Sequence, residues 1–403
     1  MAELKRVLRL TEVVFFGVGT ILGAGVYALI GKVAGMAGNL IWLSFCIAAL
    51  AAMCTAFSYA ELSAAFPRSG GEFVYAKKAF GKRLGTFVGL LVSMNSIIGG
   101  ATVAIGFGGY MAGLIDYHIV ILALGIVMVI FVVNALGIKA SSVVNMIFTS
   151  IEIGGLCFVV YTAWPSIGSV NYFEAPPEGI NGVFAAAALA FFAYVGFEEI
   201  VKLSEETQNP EKVIPRALMI ASIIVLIIYT LVAISIVSVI PYQTLGEVEN
   251  PLAVVVGQYH GRTGILAISI IALFATANTI LSNMLGSSRV ILDMSNEVGF
   301  LKSFSPIWKK RQTPVAALLL ILVIMSCFVF IGKIETVATI ATSTIFFTFL
   351  IVNLAVLVLR KREPGLRRPY RIPVNIKGYP VFPMLGATMS IVLLGYNVYS
   401  LLS

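Results

Sequence analysis

Two short stretches of this chain hold chemistry-bearing groups inside apolar surroundings. The first is Gly17-Val-Gly-Thr-Ile-Leu-Gly-Ala-Gly-Val-Tyr27, with glycines at 17, 19, 23 and 25. Each glycine in a helix costs up to about 1 kcal/mol relative to alanine. Such a density implies either close helix packing, which small residues allow in membranes, or a locally unwound segment. Gly19 and Gly23 have the spacing of four that packing favours. Gly23 and Gly25 do not share a helical face, which favours unwinding. The second stretch is Phe191-Phe-Ala-Tyr-Val-Gly-Phe-Glu-Glu199, where two adjacent carboxylates follow Gly196 near the middle of another apolar run. An acidic side chain at the centre of a lipid-spanning helix costs on the order of 2.5–3.5 kcal/mol, so such residues usually serve a function. Unwound backbone offers free amides and carbonyls, and together the two stretches can hold a small solute that carries both signs of charge.

The elements that must position these groups are membrane helices. The chain has 403 residues, 59% of them apolar or aromatic and 11% charged. A soluble protein carries about 25% charged residues, so this composition excludes an ordinary water-soluble fold, a disordered chain and a coiled coil. Runs of about 20 apolar residues cross a bilayer, and eleven can be marked off: 11–34, 40–66, 84–114, 119–136, 142–164, 182–203, 217–240, 263–291, 314–331, 336–359 and 381–402. The fold class expected is therefore an all-α polytopic membrane protein, with residues 1–403 as one membrane domain. The first run is too long for the core of a signal peptide and reads as an uncleaved span.

The net charge of +8 is explained by topology. With the N-terminus inside, all basic residues except Lys32, Arg262 and Lys333 fall on the cytoplasmic side, Lys202, Arg289 and the run from 360 to 377 among them. This is the positive-inside bias, and it removes any need for a nucleic-acid partner; lipid is the partner implied. An odd number of spans leaves the C-terminus external. Cys46, Cys54, Cys157 and Cys327 lie in apolar runs and read as reduced packing residues. His118 and His260 are the only histidines, so no His-based metal cluster can form, and no metal or cofactor is expected.

Two interrupted helices at corresponding positions of two five-span halves point to a secondary transporter. The halves are 11–164 and 182–359. Five is odd, so the second inserts upside down relative to the first, and 381–402 is an appended helix. The sequence also resembles the amino acid–polyamine–organocation (APC) permeases, which have the inverted-repeat fold of a bacterial leucine transporter. The resemblance rests on four motifs in order. They are Gly19-Thr-Ile-Leu-Gly-Ala-Gly-Val-Tyr27, Phe66-Pro-Arg-Ser-Gly-Gly-Glu-Phe-Val-Tyr75, Glu206-Thr-Gln-Asn-Pro-Glu-Lys-Val-Ile-Pro-Arg216, and Arg368-Pro-Tyr-Arg-Ile-Pro373 after span ten.

A zwitterionic amino acid needs a positive partner for its carboxylate and a negative one for its ammonium. Amides near Ala24, Gly25 and Val26, at the start of the second half of helix 1, supply the first. Carbonyls of Phe191, Phe192 and Ala193 supply the second. Glycine at 23 and 25 lets the solute approach amides that a Cβ would shield. The resemblance adds the Ile21 carbonyl to the ammonium site. It also makes Phe192 an aromatic gate, against plain packing, and sets Val195 beside the side-chain pocket. Glu198 aligns with a family carboxylate, read either as a link to inner-gate opening or as an anchor of the unwound segment. Glu199, about 100° further round an α-helix, is expected to face a cytoplasmic vestibule.

The resemblance also marks a departure. Glu152 in span five occupies a position where many APC members have a lysine facing the break in helix 1. A carboxylate there can carry a proton, bind a cation or pair with another polar group, and the three readings stay open. Sodium-coupled relatives use two neighbouring hydroxyl residues in span eight, where only Thr276 matches, so a complete sodium site is not expected. Amino-acid transport by alternating access at the plasma membrane, proton-coupled or by exchange, is the function implied. A polyamine or organic-cation permease and an amino-acid sensor without flux are the alternatives. A channel lacks its ring of charges. An enzyme lacks a nucleophile with a matching base.

Overall fold

The computed structural model describes residues 4–174, 176, 179–248, 250–331, 335–376 and 378–402, without the side chains at 24, 28, 335–342 and 396–402. Lys333 and Lys377, both used in the charge reading, lie outside the described residues. In chain order the α-helices are α1 Leu10–Ala37, α2 Ile41–Ala65, α3 Glu72–Phe80, α4 Lys82–Ile115, α5 Ile119–Ala135, α6 Ile138–Ala163 and α7 Gly179–Phe191. They continue as α8 Pro210–Val239, α9 Tyr242–Glu247, α10 Pro251–Ser295, α11 Val315–Ile331, α12 Glu335–Arg362 and α13 Val381–Leu402. A two-residue antiparallel ladder pairs Asn375 with Pro380 and Ile376 with Tyr379.

Among the described residues eight helical stretches are long and apolar enough to cross a bilayer, and α5, α11 and Val381–Gly395 are shorter apolar helices. All eleven apolar runs of the sequence are helical, and the chain is an all-α polytopic membrane protein. Two short helices, α3 and α9, were not legible from hydropathy because they are too short to span. Boundaries follow local chemistry. Asn209 takes the left-handed conformation (φ 49°) that asparagine tolerates, and Pro210 then opens α8 at its first position, where a missing N–H costs nothing.

Helix α1 runs through the interior and touches α6, α7, α8, α9 and α10. Its Leu22, Val26 and Ile30 join Phe45 and Tyr59 of α2 and Val225 and Ile236 of α8 in the main apolar core. A second core of Ile97, Val127, Ile280, Met284 and Ile321 joins α4, α5, α10 and α11. Outward-facing positions are apolar too, as at Phe87, Ile121, Met128 and Val323, as lipid requires. Cys157 and Cys327 are on this outer surface, not in the packing positions expected for them.

The end of the bundle that carries the N-terminus is cross-linked by charge. The buried Glu61 carboxylate accepts Arg360 Nε at 2.9 Å, Arg360 Nη2 at 2.5 Å and the Ile372 amide at 2.9 Å, with Arg368 Nε at 3.3 Å. This clamps α2 to the end of α12 and to the following loop, so the motif Arg368–Pro373 is a structural clasp. Removing one partner of a buried pair strands the other and costs about 3–5 kcal/mol. Glu61→Ala is therefore expected to lower the thermal midpoint of the detergent-solubilised protein sharply, while Glu61→Gln, which keeps part of the hydrogen bonding, costs less. Equal midpoints for all three proteins would refute the clasp.

Candidate functional site

The break in α1 falls at Gly23 (φ 9°, ψ −161°). The break after α7 is longer. A 3-10 turn at Phe192–Tyr194 leads to extended Val195 and to Gly196 at φ 128°, after which the chain resumes as a 3-10 helix, Phe197–Glu206. Gly196 is required on two counts. Its dihedral disfavours any side chain, and a Cβ there would lie 2.6 Å from the Thr20 carbonyl oxygen of α1. The amide of Gly196 donates to Glu198 Oε2 at 2.8 Å, so Glu198 holds the break together.

The four glycines of α1 divide between the two readings of the sequence. Gly17 and Gly19 are packing positions: a Cβ at Gly19 would fall 2.0 Å from Thr149 Oγ1 and 2.4 Å from Asn278 Nδ2, and one at Gly17 would meet Ile200 at 2.4 Å. Gly23 is the unwound residue. Gly25 lies against the other break, where a Cβ would sit 3.4 Å from Ala193 Cα.

Tyr229 of α8, fully buried, joins the two breaks. Its hydroxyl is 2.8 Å from the Ile21 carbonyl oxygen, 3.2 Å from that of Leu22 and 3.0 Å from that of Ala193. Sequence reading missed this residue, because a lone tyrosine in an apolar run carries no pattern. Phe45 and Tyr194 hold its ring edge-on at centroid distances of 5.6 and 5.2 Å. Phe191 is buried against Phe346 and Phe349, whereas Phe192 is half-buried and meets Phe346 at 5.4 Å. Val195 is also half-buried, and Val26 is buried within α1. The Ala24 side chain lies outside the described residues, and only its backbone enters the helix.

Beside the α1 break, α6 and α10 share an amide network. Asn278 Nδ2 donates to Glu152 Oε1 and to Thr149 Oγ1, each at 3.1 Å, and Asn145 Nδ2 donates to Asn278 Oδ1 at 2.7 Å. Glu152 is fully buried, and its Oε2 has no hydrogen-bond partner among the described residues. Thr276 is not part of this group. Its hydroxyl turns back to the carbonyls of Ala272 and Leu273 at 2.9 Å. Thr279 faces the break in its place, with its hydroxyl 2.7 Å from where a Cβ of Gly23 would be. Only the helical phase, fixed by packing, selects Asn278 and Thr279 over Thr276.

Glu199 is a second correction. It does not face a vestibule: it is 3% exposed and pairs with the fully buried Lys202. The segment is a 3-10 helix with three residues per turn, so the α-helical phase used for Glu199 did not apply. Arg289, also read as a charge at the membrane edge, is fully buried and pairs bidentately with Glu206, Nη2 at 2.7 Å and Nε at 3.1 Å.

The N-terminal segment closes this end. Val7 and Leu8 amides donate to the Glu206 carbonyl at 2.9 and 3.0 Å, and the Gln208 amide donates to that of Leu8 at 2.8 Å. Beyond it lies a crevice of about 650 Å³ lined in part by Arg6, Glu205 and Lys309. Arg68, after α2, pairs with Asp293 and Glu297 at the end of α10, and Lys77 of α3 pairs with Glu297. Burial alone would push Glu297 up, but the hydrogen bond and charge of Lys77, with Arg68, hold its carboxyl below the usual carboxylate range. A depressed carboxyl adds stability that is complete above its ordinary value and is lost as pH falls through the folded one. The gap in thermal stability between wild type and Glu297→Gln should therefore be full at neutral pH and close as the pH drops below about 4; a gap that is absent at neutral pH, or that widens on acidification, contradicts the assignment.

Paired mid-bundle helix breaks in an apolar helical protein define the class: an integral membrane permease. The family model for amino acid permeases matches residues 8–397, and the chain belongs to that family. It is 29% identical to the branched-chain amino acid permease BcaP of Bacillus subtilis (strain 168), over 95% of this chain and 86% of that protein. It is 31% identical to the vacuolar cationic amino acid transporter 4 of Arabidopsis thaliana, over 90% of this chain and 64% of that longer protein. It is 25% identical to the methylthioribose transporter of Bacillus subtilis (strain 168), over 96% of this chain and 87% of that protein.

Proposed function

We propose that the chain carries amino acids across the plasma membrane by alternating access, the substrate's two charges being met by main-chain groups where α1 and α7 break. The observation that carries this reading is the meeting of the two breaks at Gly25 and Ala193, with one hydroxyl, that of Tyr229, bonded to carbonyls of both. A hydroxyl has a single proton, so the carbonyls of Ile21, Leu22 and Ala193 keep acceptor capacity for an ammonium group, and those of Phe191 and Phe192 adjoin them. The amides of Ala24, Gly25 and Val26 stand at the positive end of the second half of α1 and meet the carboxylate. Phe192, half-buried, is the aromatic cover. Ile21, Phe192 and Val195 give an uncharged surround, which supports a neutral substrate with an apolar side chain.

Coupling is to a proton, with Glu152 as its carrier. Supporting this are its single hydrogen bond, from the neutral amide of Asn278, and the turning of Thr276 onto its own helix, which leaves a sodium-type pair of hydroxyls incomplete. Residues 11–164 and 182–359 act as two oppositely inserted halves with 381–402 appended, and the N-terminus is cytoplasmic.

The test is uptake of radiolabelled leucine and arginine into proteoliposomes under imposed pH and sodium gradients. Saturable leucine uptake, stimulated by a pH gradient and by internal unlabelled leucine, is expected. Glu152→Gln should lose the pH stimulation and keep the exchange. Tyr229→Phe strands buried carbonyls at a cost of about 1–3 kcal/mol and should lower uptake at least about tenfold at normal expression. A sodium requirement sinks the proton assignment, a preference for arginine sinks the substrate assignment, and binding without flux sinks the carrier.

A further inference from the structure

After its break, the sixth membrane span, which begins as α7, resumes as the 3-10 helix Phe197–Glu206. Residues three apart eclipse in that geometry, which stacks Lys202 on Glu199. The Lys202 ammonium donates to Glu199 Oε1 and to Ser96 Oγ of α4 at 3.5 Å, and Ser96 donates to the same carboxylate oxygen at 3.2 Å. Among the described residues Glu199 Oε2 has no hydrogen-bond partner; it lies against α10 at Gly286, where a Cβ would fall 1.8 Å from it. From α3, Glu72 Oε1 accepts the Tyr59 hydroxyl at 3.0 Å, and its Oε2 is likewise unpartnered. Glu198, which caps Gly196, completes the group. All four charged side chains are less than a tenth exposed and line one small cavity of about 20 Å³, room for about one water.

The count of charge decides what this cluster does. Glu199 and Lys202 neutralise each other, which leaves Glu72 and Glu198 with no cation of their own. Among the described residues the other walls supply none. Besides Tyr59 from α2, α4 contributes Asn95 and Ser96, α10 the backbone at Gly286, and α12 Ile345, Thr348 and Phe349. The Tyr75 ring of α3 packs edge-on against that of Tyr59, and its hydroxyl has no hydrogen-bond partner among the described residues. Burying two uncompensated carboxylates side by side is far costlier than protonating one. For Glu72, which lies between spans, burial pushes the carboxyl up against the opposing pull of Lys202.

We propose that Glu72, Glu198, Glu199 and Lys202 form a proton-binding site, separate from Glu152, that holds one exchangeable proton among its carboxyls at neutral pH, with Lys202 setting that number. Glu198 ties the site to the break in α7. On the transport reading above, the state of this proton is therefore linked to the geometry of the substrate clamp.

The test that does not need a substrate is infrared titration of the purified protein in lipid nanodiscs, reading the protonated-carboxyl band and its deuterium shift. Glu72→Gln is expected to remove about one carboxyl from the band at neutral pH, and Lys202→Met, which strands Glu199, to add about one. The double variant Glu199→Gln/Lys202→Met replaces the pair by neutral groups and should restore the wild-type band; it also serves where Lys202→Met fails to fold. An unchanged band in Lys202→Met, or a changed one in the double variant, overturns the site. In leucine uptake, Lys202→Met should move the midpoint of the pH profile alkaline and the double variant should return it. Wild type that takes up no leucine refutes the carrier, whereas uptake whose pH profile ignores Lys202 refutes only the link to transport.

Discussion

A helix interrupted inside a bilayer exposes amides and carbonyls that no lipid can satisfy, and the arrangement of this protein follows from answering them. The Gly196 amide is met by Glu198 two residues later. The carbonyls of Ile21, Leu22 and Ala193 are met by one tyrosine hydroxyl from α8. Each partner comes from an element packed against α1 or from the break itself, which is why α1 must be interior. A broken helix at the periphery would face tails with nothing to offer. One hydroxyl proton is thus shared among three carbonyl oxygens drawn from both breaks.

The same rule governs side-chain charge, and it divides the bundle by its ends. At the N-terminal end, carboxylates and cations cross-link elements distant in sequence: Glu61 with Arg360, Glu206 with Arg289, and Arg68 and Lys77 with the end of α10. At the other end the ties include neutral hydrogen bonds, Trp42 Nε1 to the Tyr172 carbonyl, Tyr172 Oη with Ser238 Oγ, and Ser169 Oγ to the Ser238 carbonyl. Paired buried charges stabilise only when both partners stay in place, and losing one is severe.

Much of this was legible in residues. Each apolar run marked in the sequence is helical, and among the described residues eight helical stretches are long and apolar enough to cross a bilayer. Glycine placement announced both breaks, since Gly23 and Gly196 sit where a backbone without Cβ is needed. What escaped was phase and partnership. Glu199 was assigned a direction by α-helical rotation, but the segment is wound as 3-10 and the residue points inward. Lys202 and Arg289 looked like edge markers because positive charge near a span's end usually is one; that each meets an acid from the same or another helix depends on three-dimensional packing. Thr276 and Thr279 are three residues apart on one helix, and only the docking of α10 against α1 decides which faces the break. Tyr229 had no local signature at all.

The 3-10 winding of Phe197–Glu206 is the element on which these observations converge. Ten residues of 3-10 helix rise about 20 Å, against about 15 Å for the α form, so the segment reaches from the break at Gly196 to the Glu206–Arg289 pair and the N-terminal segment docked on Glu206. Its three edges are all covered, which a solvent-facing helix would not need. One carries Phe197, stacked on Phe349, and Ile200, against Gly17 of α1; another carries Glu199 and Lys202; the third begins with Glu198. A run of this length is unusual for 3-10 geometry, whose hydrogen bonds are poorer than those of an α-helix. Here the eclipsed positions are answered by specific neighbours, so side-chain partnership holds a backbone form that propensity alone would not, and the break at Gly196 and the Glu206–Arg289 pair become two ends of one strut.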